Sequence, residues 1–188
     1  MKTTRFDVTR GACLAVLALI LAGCMSQEPE EGDRDLVLKA EDLLPYGIDL
    51  PRGYATWETL KREKWIDSSF AVEYEFEPPE DAELPYLYSL TERHTSKSDA
   101  CNSYSAGNIG LPFGLGDNEL DVRDDLYSYG DESRFGLLTA EGQPFGNYFA
   151  MCKGRAAVMI VLGGLYFDDG EMWAELIQPM LGEVAILE

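Results

Sequence analysis

The sequence predicts an α+β domain: a single twisted antiparallel sheet of about six to seven strands with two main helices packed on it. Three observations carry this. Phe70-Ala71-Val72-Glu73-Tyr74-Glu75-Phe76 alternates apolar and polar residues, the pattern of a strand with one core face and one wet face. Ala156 to Leu162 is apolar without alternation, so that strand is central and covered on both faces. Met172, Trp173, Leu176, Ile177 and Met180 fall on one stripe at helical spacing.

The elements follow in order. Thr56 to Ile66 is a first strand, Phe70 to Phe76 a second and Tyr86 to Arg93 a third, with Pro78-Pro79-Glu80-Asp81 as a loop between the last two. Ser96-Lys97-Ser98-Asp99 resembles a capping box and starts a short helix through about Ala106, which carries Cys101. Gly107 to Gly116 is rich in glycine and proline and reads as a loop. Four more strands are expected, over Glu119 to Leu126, Arg134 to Thr139, Asn147 to Lys153 and Arg155 to Leu162, with Lys153-Gly154 as a tight turn. Asp168 and Asp169 cap the last helix, which Pro179 must kink or end.

The N-terminal stretch has a different character. Lys2, Arg5 and Arg10 precede an apolar run from Ala12 to Ala22, which is too short to span a bilayer comfortably. The run ends in Leu21-Ala22-Gly23-Cys24, which resembles the lipobox of bacterial lipoproteins. The resemblance implies cleavage between Gly23 and Cys24, a diacylglycerol thioether on Cys24 and usually acylation of the new amino group. Two or more chains give durable attachment where one is marginal, at about 0.8 kcal/mol per buried methylene. Met25 replaces the Asp that retains such proteins in the inner membrane, so the resemblance points to the outer membrane.

Three parts result: a signal over 1–23, a lipidated cysteine with a disordered tether over 24–35, and one globular domain over 36–188. The tether reading rests on the near absence of apolar residues between Met25 and Asp35. Cleavage removes three of the 15 basic and one of the 34 acidic residues, which leaves 165 residues with a formal charge of −21. Such a surface repels nucleic acid, which is excluded as a partner. The membrane, through Cys24, is one partner. An envelope protein or a small ligand is the other class expected.

Of four cysteines, Cys13 leaves with the signal and Cys24 takes lipid. Cys101 and Cys152 remain, either as a disulfide in an oxidising compartment or as two buried thiols. Some extracytoplasmic sensor-type domains show Gly-Asp-Glu-Ser, a strand pair with a basic-glycine turn, an apolar strand and a terminal helix. Gly130-Asp131-Glu132-Ser133, Lys153-Gly154, Val158 to Leu162 and the Trp173 helix resemble them, and through them the Mog1/PsbP-like fold. That resemblance implies a binding or accessory role without enzymatic chemistry and assigns no functional residue.

No catalytic, cofactor or metal set is visible. The single histidine, His94, rules out a zinc site built from several histidines, and no serine sits in a Gly-x-Ser-x-Gly elbow. Asp117-Asn118-Glu119-Leu120-Asp121 starts like a calcium loop but continues with Val122 and reaches Ser128 where a Glu is required. Glu73, Glu75 and Glu77 line the wet side of a strand, which does not raise a carboxyl pKa for acid catalysis. Phe113, Tyr129 and Phe145, in loops rich in glycine and proline, are candidates for the rim of a binding surface. The function expected is therefore a non-enzymatic binding, sensing or accessory lipoprotein. A hydrolase using carboxylates or His94, and a passive surface protein, are the alternatives.

Overall fold

The structure, a computed structural model, describes residues 25–187, without the side chains of Met25 and Phe113. Among them one sheet of eight strands is built from β1 (Met25–Gln27), β2 (Glu58–Lys64), β3 (Phe70–Phe76), β4 (Tyr86–Arg93), β5 (Glu119–Val122), β6 (Glu132–Ala140), β7 (Gln143–Lys153) and β8 (Ala156–Gly163). The spatial order is β1-β2-β3-β4-β8-β7-β6-β5, with every neighbouring pair antiparallel. Two four-stranded halves thus meet at β4 and β8. The helices α1 (Lys97–Leu115) and α2 (Gly170–Val184) are joined by five short 3-10 turns among the described residues.

The expected sheet of six to seven strands with two main helices is corrected to this sheet-dominated, eight-stranded arrangement with helical structure spread over seven segments. The additional strand, β1, lies in the segment read as a disordered tether, where Met25 pairs with Lys64 and Gln27 with Arg62. The rest of that segment is also fixed. Asp33 is 3% exposed and pairs with Arg62, itself buried, whose guanidinium lies 4.2 Å from the Phe70 ring centroid. A buried ion pair offsets the desolvation of both charges, so polar composition alone did not mean disorder here.

The chain then runs as a strap over one face of the sheet, from Asp33 to about Leu43. Thr91 Oγ1 donates to the Leu36 carbonyl (2.6 Å), the Leu38 N–H donates to Ser89 Oγ (3.0 Å), and the Ala40 N–H donates to Tyr74 Oη (3.0 Å). These backbone groups are buried and would be costly unpaired, so β4 and β3 carry polar side chains toward the core to meet them. The strap and α2 together bury Val72, Phe76, Leu87, Phe149, Ile160 and their neighbours.

The opposite face is covered by α1. Ser96 caps it by accepting from the Asp99 N–H (3.2 Å), as the sequence predicts. It runs through Gly107 and Pro112 to Leu115, beyond its expected end at Ala106. Packing overrides local propensity: Tyr104, Leu111 and Leu115 lie on Leu138, Tyr148 and Ala150. Likewise α2, capped by Asp169 through the Glu171 and Met172 N–H groups, passes Pro179 and continues to Val184.

Cys101 on α1 and Cys152 on β7 form a disulfide, with Cα atoms 5.1 Å apart. It staples the helix to the sheet across a sequence separation of 51. Its removal by Cys152→Ala, or by reductant, is expected to lower folding stability by about 2–4 kcal/mol. A urea titration with and without dithiothreitol measures this, and coincident midpoints would contradict it.

Candidate functional site

Gly23 and Cys24, the expected cleavage and lipidation residues, lie outside the described residues. The other sequence-derived candidates can be placed one by one. Tyr129 packs on the edge of the face that holds α2. Its ring lies 4.9 Å from Lys153 Nζ, which also donates to its hydroxyl (3.1 Å). Phe145 packs under α1 on the other face. Phe113 falls within α1 rather than in a loop. The sheet therefore separates Tyr129 from Phe145, and the two do not share one surface.

The acidic row on β3 has cross-strand partners. Glu73 accepts from Lys61 Nζ (2.9 Å) and Tyr88 Oη (3.2 Å), and Glu75 accepts from Tyr86 Oη (3.1 Å). Burial, reinforced by the Glu73 charge, pushes the Tyr88 phenol well above its ordinary range, so it stays a donor. This is a cross-strand ladder that neutralises the open half of the sheet face not reached by α1. The calcium-loop candidate resolves into edge strand β5, whose extended backbone sends Glu119 and Leu120 to opposite sides and forms no chelating loop.

One cluster brings together residue types used in catalysis. Glu92 at the end of β4 accepts from Ser103 Oγ on α1, and the same Oε2 lies 3.2 Å from His94 Nε2. The side chains of His94 and Glu92 are 18% and 13% exposed. In a nucleophilic triad the imidazole stands between hydroxyl and carboxylate. Here the carboxylate stands between the other two, so the serine proton is directed to Glu92 and not to the base. The arrangement as it stands ties the first turns of α1 to the end of β4. His94 stood out in the sequence as the single histidine, but its grouping with Glu92 and Ser103 did not, since α1 and β4 meet only in the fold.

Cys101, Cys152 and Glu132 also converge, with one ligand-type atom of each within 4.8 Å of the others. With the two sulfurs bonded to each other, no thiolate is left to ligate a metal. Two small clefts flank α2. One, of about 150 Å³, lies between the strap and α2 and is lined by Val37, Asp42 and Met180 among others. The second, of about 210 Å³, is lined by Tyr127, Tyr129, Gln178 and Leu181. Both fall below the ~300–1,000 Å³ usual for enclosed small-molecule sites. No known protein family matches this chain, and no curated protein or solved structure matches it.

Proposed function

We propose that this chain is a lipid-anchored envelope protein whose folded part serves as a binding or accessory module. The observation that carries the reading is Leu21-Ala22-Gly23-Cys24 at the end of a basic-then-apolar leader. The Cys101–Cys152 disulfide is compatible with an oxidising extracytoplasmic compartment. Among the described residues no helix is long and apolar enough to cross a membrane, so attachment in this reading is through acyl chains on Cys24. Met25 directs the proposal to the outer membrane. The acidic surface keeps the module off nucleic acid and leaves basic proteins or small cations as the partners it attracts.

The test is growth with labelled palmitate. The wild type is expected to carry label, and Cys24→Ala to lose it and to accumulate uncleaved. Label that survives Cys24→Ala, or none on the wild type, overturns the reading.

The alternative reading, a hydrolase using His94, would need Ser103, which now donates to Glu92, to turn toward His94. That reading requires turnover of an activated ester to fall at least ~100-fold in both Ser103→Ala and His94→Ala. An unchanged rate in either variant dismisses it.

A further inference from the structure

We propose that the anchored domain rests directly on the bilayer through one end of its sheet, with the β2–β3 hairpin tip, Trp65 and Ile66, dipping into the lipid surface. This rests on the reading of Cys24 as the lipid anchor.

Register places the anchor. Met25 is paired with Lys64, the residue that precedes Trp65. Cys24 is one trans peptide from Met25, about 3.8 Å between Cα atoms. No spacer intervenes, since β1 is paired and the Asp33–Arg62 ion pair holds the following turn. Residues 25–35 as a free extended tether would reach about 36 Å, but they are spent on the domain itself.

The same end presents apolar groups to solvent. Ile66 is 87% exposed, the most of any large apolar side chain among the described residues, and Ile186 follows at 75%. Arg93, in register with Phe70 and Ala156 at this end, donates from Nε to the Leu187 carbonyl (3.4 Å) and so brings Ile186 here too. Ile109, 71% exposed, is well along α1 and is not part of this end. The tip is preformed: the Trp65 N–H donates to the Ser69 carbonyl (3.0 Å) and the Ser68 N–H to the Trp65 carbonyl (3.1 Å), with Ser68 at φ 72°. Tryptophan with a flanking aliphatic residue suits the boundary between headgroups and acyl chains.

Charge supports the orientation. At the far end, the loops 77–84, 117–119 and 141–142 hold carboxylates and no lysine or arginine, and the segment leading into β2 adds one cation, Arg52. The anchor end carries Lys64, Arg93, Lys97, Lys153 and Arg155. Its carboxylates, Glu63, Asp67, Glu92, Asp99, Asp131 and Glu132, nearly balance these cations, and Asp131 pairs with Lys97 (2.8 Å). In a domain so acidic overall, this is the end that an anionic surface repels least.

The full chain, expressed with its leader and purified from membranes, is reconstituted into phosphatidylethanolamine–phosphatidylglycerol vesicles containing acyl-brominated phospholipid. The three tryptophans report separately, because Trp173 is fully buried and Trp57 sits at the far end of β2. Bromine is expected to remove about one third of the emission, the share of an interfacial Trp65. Trp65→Phe abolishes that loss, Trp57→Phe keeps it, and Ile66→Asp reduces it. A lipidated protein that shows no quenching, or quenching that persists in Trp65→Phe, overturns the orientation and leaves the anchor standing. A protein that carries no lipid and stays aqueous in detergent partitioning overturns both.

Discussion

Replacing Trp173 by Ala is expected to lower folding stability by about 3–5 kcal/mol, a large share of the ~5–15 kcal/mol of an ordinary domain. The indole is fully buried on α2 and touches three rings of the core: Phe135 (5.3 Å between centroids), Phe167 (5.9 Å) and Phe149 (6.2 Å). Its loss opens a cavity where α2 meets β6 and β7, and rings in tilted and edge-on contact cannot collapse into it without leaving their rotamers. Among the described residues no protein group accepts from the indole N–H, so Trp173→Phe gives up some volume but no protein hydrogen bond and is expected to cost much less than Ala. Urea midpoints of the two variants measure the contrast. Equal losses would mean that ring volume is not what this position supplies.

Asp33→Ala is expected to cost a similar amount, about 3–5 kcal/mol, because it strands Arg62. Arg62 is 8% exposed, and with Asp33 gone its nearest carboxylate is Glu30, 3.4 Å from Nε and itself well exposed. Asp33→Leu combined with Arg62→Met removes both charges and is expected to recover most of the loss, since a buried pair contributes little over apolar groups of similar volume. If Asp33→Ala leaves the midpoint unchanged, the segment ahead of the strap is not held as described.

The same residues show what could and could not be read from the chain. β3 and β4 begin and end where alternation put them, at Phe70–Phe76 and Tyr86–Arg93. Setting aside the other cysteines singled out Cys101 and Cys152, but only the fold shows them bonded rather than as two buried thiols. The N-terminal segment was misread because composition measures hydropathy and not partners. Its one decisive residue, Asp33, is buried only because Arg62 waits 29 positions later. A signal was present in β4, where Ser89 and Thr91 occupy inward positions next to Leu87. Polar groups facing a core imply something polar passing over them, here a backbone. The loop predicted over 107–116 failed for a related reason: glycine and proline lower helix propensity, but a helix fixed at one end and packed on a sheet tolerates them. The binding-surface candidates could not be grouped from sequence, because the face Phe145 occupies depends on strand register and that of Tyr129 on the path of the β5–β6 connection, and the two end on opposite sides.

The strap also sets an order of events. Its partners Tyr74, Ser89 and Thr91 follow it by 34 to 55 residues, so it has nothing to hold until β3 and β4 have emerged and paired. Contacts of such separation form late and slowly. In the proposed lipoprotein, the stretch that starts at Met25 would therefore stay extended and reachable during export while the rest of the domain assembles. On that proposal, this is the interval in which lipidating enzymes would reach Cys24. Once the strap closes, the same stretch becomes the edge of a sheet.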